Sequence, residues 1–223
     1  EIEDIHQELA VFLKHESGKR MNIIFRLYDT GLGFRYEWPK EDSMNEFVIM
    51  EEKTEFVLAG NHDAWWLQAY IPNRYEHLNI ASKASQIDTA ATPLTMKTAD
   101  GLYLSFHEAA LTDYSSMSLI NRGENKLQAT LFPWMDGTGH KVRAKTPFVS
   151  PWRTIKVNED LNGLVNNYIE LNLNEPSKIK DTSWIKPGKY VGIWWDMHLN
   201  RKTWYSGEKH GATTEYTKKW INF

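Results

Sequence analysis

From Glu8 to about Gln128 the chain alternates short apolar runs with turn residues. Leu9–Lys14 and Met21–Tyr28 read as strands, with Ile23, Phe25 and Leu27 on one face of the second, because strand side chains alternate between faces. Asp29-Thr30-Gly31 turns the chain into Phe34–Trp38, which stops at Pro39. This is a hairpin signature, since glycine supplies the positive φ that tight turns demand. Further strands are expected at Phe47–Met50, Glu55–Leu58, Trp65–Ile71, Leu94–Thr98, Tyr103–His107, Ser118–Asn121, Leu127–Phe132 and Trp152–Val157. Strands at this spacing, without long helical periodicity, predict a sandwich. Asn158–Gly163 reads as a short helical turn and Val165–Leu173 as one more strand.

The pattern changes after Asn174. Glu175-Pro176 and Pro187-Gly188 punctuate a connector, and Lys189–Trp195 is a near-continuous apolar run. Such a run suits a strand buried on both faces, as in parallel sheets. Thr213 is then a candidate N-cap for a helix in which Tyr216, Trp220 and Phe223 share a face. A buried strand followed by a helix is the first unit of a βα barrel or a doubly wound sheet. The expected domains are a sandwich over 1–175, a connector over 176–188 and a truncated α/β piece over 189–223. The chain is expected to lack the remainder of itself.

Composition adds exclusions. Lys plus Arg is 26 against 29 Asp plus Glu, a net charge of −3. That balance argues against a nucleic-acid partner, which needs a basic surface. No apolar run approaches the roughly 20 residues of a membrane span. The acidic start Glu1-Ile2-Glu3-Asp4 is not a signal peptide. With no cysteine, disulfides, thiolate metal sites and thiol nucleophiles are excluded. The 10 Trp, 10 Tyr and 9 Phe fit either an aromatic β core or a carbohydrate surface.

Among the chemistry-bearing residues Glu108 stands out. Leu102, Leu104, Phe106 and Glu108 share one strand phase, so a carboxylate falls on the apolar side. Such a group needs a cation or hydrogen-bond donors. It is either a strand-end carboxylate that reaches solvent or an arginine, or a ligand of a hard cation such as Ca²⁺. Arg153, set among apolar strand neighbours, reads as a salt bridge inside the sandwich. Trp195, Asp196 and His198 sit where the presumed parallel strand ends, the usual place for a ligand in such sheets. His210 is most simply a loop histidine. Metal spacing of the HExxH type, phosphate loops and nucleophile elbows are absent from the sequence.

Five blocks resemble glycoside hydrolase family 97, and they occur in the family's order. They are Phe25–Tyr36 (FRLYDTGLGFRY), Tyr103–Tyr114 (YLSFHEAALTDY), Ser150–Ile155 (SPWRTI), Asp181–Lys189 (DTSWIKPGK) and His210–Glu215 (HGATTE). The resemblance implies a mainly β fold, a super-β-sandwich of the galactose-mutarotase type, followed by the first βα unit of a (β/α)8 barrel. It implies an exo-acting, calcium-dependent α-glucosidase or α-galactosidase acting on an oligosaccharide or α-glycoside, in a bacterial periplasm or secreted. It also implies that Glu108 is one calcium ligand and that the acid and the base or nucleophile lie beyond Phe223, so no catalytic residue is assigned here. The alternative is a non-catalytic carbohydrate-binding or structural sandwich.

Overall fold

The computed structural model describes residues 2–71 and 77–222, apart from the Ser43 side chain. The chain forms two compact units, Glu1–Pro176 and Ser177–Phe223.

The first unit is mainly β. Its strands are β1 (Gln7–Lys14), β2 (Arg20–Tyr28), β3 (Gly31–Trp38), β4 (Glu46–Ile49) and β5 (Glu55–Val57). There follow β6 (Asp63–Trp66), β7 (Ile80–Lys83), β8 (Thr89–Ala91), β9 (Leu94–Lys97) and β10 (Tyr103–Ala109). The last five are β11 (Met117–Asn121), β12 (Lys126–Leu131), β13 (Val142–Lys145), β14 (Phe148–Val149) and β15 (Trp152–Asn158). Two helical turns close the unit, α1 (Leu161–Val165) and α2 (Ile169–Asn172). The large sheet runs β1-β2-β3-β15-β10-β9-β6-β7, with β14 also on β3. A smaller sheet runs β5-β12-β11-β8, and β4 and β13 form a ribbon. Every pairing is antiparallel. The sheets are open, and between them lies the main core, with Leu94, Met96, Phe106, Leu119 and Leu127 almost fully buried.

The β2–β3 hairpin forms as expected, with Tyr28 opposite Gly31 across the two residues Asp29 and Thr30. The outer face of the large sheet carries a second cluster of Ile24, Tyr28, Ala109, Trp152, Ile169 and Leu173. Gly31 and Gly33 make room for it. A Cβ on Gly33 would lie 2.4 Å from Leu173 Cδ1, and one on Gly31 2.7 Å from Ile169 Cδ1. Trp152 fills the rest of this face beneath the guanidinium groups of Arg26 and Arg35, 4.9 and 4.5 Å from its ring.

The sequence expectation for the end of this unit is corrected. Val165–Leu173 is not a strand; it holds the end of α1 and all of α2. Ile169 and Leu173, four residues apart, are both 3% exposed, and that spacing buries one helical face. Asn167 anchors the turn by donating to Thr30 O and Asn158 Oδ1 and accepting from Ile169 N. β7, β8, β13 and β14 are too short or too polar to stand out in the sequence.

The second unit departs further. Lys189–Trp195 does not form the expected strand: Lys189–Ile193 has no regular structure, and Trp194–His198 is a helical turn, α3. A strand needs partners for its backbone groups, and Tyr190, 96% exposed, marks a segment without neighbours to bury it. The first βα unit of a barrel is therefore not formed here. The expected last helix is present as α4 (Thr214–Ile221), with Thr213 Oγ1 accepting from Tyr216 N. Tyr216 and Trp220 share a face as edge-to-face rings 6.4 Å apart, while Phe223 lies outside the described residues. Among the described residues no helix is long and apolar enough to cross a membrane.

Candidate functional site

β10 and β15 pair so that Glu108 faces Arg153 directly. Both side chains share the inner phase with Phe106 and Ile155, so the sheet delivers an acid and a base into the apolar interior. Arg153 is fully buried; Glu108 and Glu52 are each 8% exposed. Arg153 Nη1 donates to Glu108 Oε2 at 2.5 Å. Its Nε and Nη2 donate to the two oxygens of Glu52 at 2.8 and 2.5 Å, a bidentate fork. The Glu108 oxygens also share the Met117 amide, at 3.1 and 3.2 Å. Glu52 takes further hydrogen bonds from the hydroxyls of Thr54 and Tyr114, each at 2.9 Å. Tyr36 and Thr54 join their hydroxyls at 2.7 Å.

The electrostatics follow from this wiring. Burial pushes the Glu52 carboxyl up, but the Arg153 hydrogen bonds and charge, with the Thr54 and Tyr114 hydroxyls, together hold it below its usual range. Burial works against the Arg153 charge, and Glu52 and then Glu108 more than reverse that, so the guanidinium stays charged. The Tyr114 phenol is pushed well up by burial and by the Glu52 charge, which keeps it a donor. The cluster sets two carboxyl groups against one guanidinium.

Tyr114 also connects this cluster to the surface. It lines an open cavity of about 1060 Å³ together with Asp113, Phe132, Trp134, Arg143 and Phe148. The Trp134 ring there is covered by the Arg143 guanidinium at 4.4 Å.

Glu108 thus has the in-phase, partnered position that its sequence pattern called for, and Arg153 is the salt bridge inside the sandwich. Glu52 and Tyr114 escaped the sequence reading. Glu52 sits in Glu51-Glu52-Lys53, which looks like an ordinary solvated run. The phase signal for it is weak, because Glu52 lies between strands. As a calcium ligand Glu108 is chemically suitable: among the described residues Oε1 carries only the shared amide hydrogen bond, so it keeps acceptor capacity. It is one carboxylate of a shell that needs six to eight oxygens. Among the described residues no group of three or more His, Cys, Asp or Glu could hold a metal ion.

The other three candidates lie in the second unit. In a strand, Asp196 and His198 would share a face; in the turn of α3 they do not. Asp196 is 5% exposed and accepts a hydrogen bond from the Tyr216 hydroxyl, with Arg201 Nη1 3.8 Å away. His198 packs its ring edge-on to Trp194 at 4.2 Å. Trp195 is half exposed. His210 pairs with Thr203 through an isolated bridge.

Residues 1–176 match the model of the glycosyl-hydrolase 97 N-terminal domain. The chain belongs to glycoside hydrolase family 97. It is 44% identical to a family 97 enzyme from Pseudoalteromonas sp. strain K8, solved in complex with acarbose, with a TM-score of 0.82 over 97% of this chain and 33% of that one. It is also 24% identical to a retaining alpha-galactosidase of Bacteroides thetaiotaomicron over 89% of this chain and 34% of the relative. A probable retaining alpha-galactosidase of Streptomyces bingchenggensis is 26% identical over 80% of this chain and 27% of its own length. This family 97 chain therefore spans about a third of the length of the relatives it matches. A beta-arabinopyranosidase shares the fold, with a TM-score of 0.67 at 22% identity.

Proposed function

We propose that the chain is part of an exo-acting α-glycoside hydrolase that releases terminal α-linked glucose or galactose with calcium assistance. The observation that carries this reading is the 44% identity to a family 97 enzyme across almost the whole chain. The full-length protein would join this sandwich to a catalytic (β/α)8 barrel entered through the second unit. Glycoside hydrolysis uses two carboxyl groups, one to protonate the leaving oxygen and one to attack or to activate water. On this reading neither is among these 223 residues.

What this chain supplies is a positioned carboxylate. Arg153 and the Met117 amide fix Glu108, and two carboxyl groups around one guanidinium suit a neighbouring cation. Glu108 would hold Ca²⁺ together with ligands from the rest of the enzyme. When bound, the ion would polarise substrate or position water. Trp195, Asp196 and His198 are the proposed substrate-binding residues of the second unit.

The test is hydrolysis of p-nitrophenyl α-glucoside and α-galactoside by the full-length protein, with and without a chelator. Glu108→Gln should sharply lower turnover and shift calcium dependence to higher concentration while the thermal midpoint in excess chelator stays close to that of the parent. Unchanged activity and calcium dependence would sink the metal role. No hydrolysis of any α-glycoside, combined with calorimetric binding of maltose or melibiose to this chain alone, would favour a binding module instead.

A further inference from the structure

The buried ion cluster shares out its hydrogen bonds unequally. Glu52 Oε1 accepts from Arg153 Nε at 2.8 Å and from the Thr54 hydroxyl at 2.9 Å. Glu52 Oε2 accepts from Arg153 Nη2 at 2.5 Å and from the Tyr114 hydroxyl at 2.9 Å. Glu108 Oε2 accepts from Arg153 Nη1 at 2.5 Å and from the Met117 amide at 3.2 Å. Three of the four carboxyl oxygens thus carry two donors each. The fourth, Glu108 Oε1, has only its share of that one amide, at 3.1 Å, among the described residues.

Register alone would give a different result. Glu108 and Arg153 stand directly opposite each other in an antiparallel pair, and side chains so placed are close neighbours. An arginine frequently meets a facing carboxylate through two parallel N–H groups, one on each oxygen. Glu108 receives one N–H instead. The two-pronged contact goes to Glu52, which lies between strands and 101 positions from Arg153.

Glu52 is firmly held in that place. The Thr54 and Tyr114 hydroxyls each bond one of its oxygens, and the Tyr36 hydroxyl holds Thr54 at 2.7 Å. The Tyr114 ring also lies beside the guanidinium, with Arg153 Cζ 5.5 Å from its centroid. Tyr36 comes from β3, Glu52 and Thr54 precede β5, and Tyr114 follows β10. Three separate segments therefore set the direction of the Arg153 fork.

We propose that Glu52 is a positioning residue: by holding the fork of Arg153, it limits Arg153 to one oxygen of Glu108 and leaves Oε1 to a divalent cation. This rests on the reading of Glu108 as a calcium ligand. Glu52 itself is not a ligand, because both its oxygens already have two donors. Without Glu52, the fork turns to the carboxyl that faces it across the ladder and covers Oε1. The cation then competes with an N–H donor for that oxygen.

The test is the calcium affinity of the full-length protein, measured by calorimetry in competition with a chelator. Glu52→Gln keeps the size of the side chain and gives up one of the two acceptors of the fork. It should weaken calcium binding about 10–100-fold, as loss of a partner that orients a metal ligand does. Arg153→Lys has no fork to redirect, since lysine carries a point charge. In the Arg153→Lys background, Glu52→Gln should change calcium affinity by no more than about twofold, the scatter of independent sites. A merely structural loss, or direct ligation by Glu52, weakens binding equally in both backgrounds and overturns the proposal. So does a calcium affinity that Glu52→Gln leaves unchanged.

A calcium-loaded crystal structure of the unsubstituted full-length protein needs no variant to fold. It should show the Arg153 fork on Glu52 and the ion on Oε1 of Glu108. An ion on Glu52, or a fork covering both Glu108 oxygens, overturns the proposal. Glu108→Gln separates this inference from the reading beneath it. If it leaves calcium affinity unchanged, the ligand assignment fails and the positioning role fails with it. If it weakens binding while Glu52→Gln does not, the positioning role alone is lost.

Discussion

Glu108 and Arg153 stand opposite each other across the β10–β15 ladder, with the guanidinium Nη1 2.5 Å from the carboxylate Oε2. Their partner Glu52 is held by more groups, through the fork from Arg153 and two hydroxyls. Removing the Arg153 guanidinium leaves buried carboxyl groups without a counter-charge, at a cost of about 3–5 kcal/mol. Arg153→Met, which strands two carboxylates, should therefore lower the unfolding free energy most in urea titrations. Glu52→Gln should follow, and Glu108→Gln should cost least. A cost for Arg153→Met below that of Glu108→Gln would show that the cluster is not wired as described.

The glycines of β3 make a second ranking. A Cβ on Gly31 would sit 2.3 Å from the Ile155 carbonyl oxygen, a backbone atom that cannot step aside, at φ +151°. On Gly33 the obstacle is the Leu173 side chain, whose methyl groups have some freedom. Overpacking of this kind costs about 1–3 kcal/mol. Gly31→Ala should lower the thermal midpoint clearly more than Gly33→Ala, and equal losses would argue against the difference between backbone and side-chain obstruction.

These examples show what the sequence made legible. The β2–β3 turn and the strand phase of Glu108 depend on local spacing, so they could be read directly. So could the α4 cap, where Thr213 precedes the apolar face of Tyr216 and Trp220. Glu52 could not, because its partners Arg153 and Tyr114 are distant in sequence and only the register brings them in. Lys189–Trp195 failed for a related reason: an apolar run reports a tendency to be buried, and the strand it suggests requires neighbours to pair with.

In the second unit, Tyr216 ties α4 to α3 through its hydroxyl bond to buried Asp196. Tyr216→Phe deprives that carboxylate of a donor, which costs about 1–3 kcal/mol. Hydrogen exchange should rise across α3 and α4 while the strands of the sandwich keep their protection. A uniform rise over the whole chain would contradict a local role.

The loop after β12 provides a test by pH. Thr138 hydrogen bonds to Asp136 through its hydroxyl and its amide, and Arg143 reinforces them, which brings the carboxyl down to about 2. A carboxyl depressed on folding contributes stability above its unfolded value near 3.8, and that contribution is lost as pH falls through about 2. Carbon-detected NMR should show Asp136 titrating below the exposed carboxyls, and Thr138→Ala should move its midpoint upward. A parent midpoint at the ordinary aspartate value would contradict the bonding.

The large sheet keeps separate packing on its two sides, with the aromatic core and ion cluster on one and Trp152 with α2 on the other. In β10 and β15, which side a residue serves depends only on whether its position is odd or even. A one-residue insertion or deletion within either strand would exchange the two sets, presenting His107 and Thr154 to the core and Arg153 and Glu108 to α2. Viable length changes during divergence are thus expected to fall in connections such as 133–141, while these two strands diverge by substitution alone.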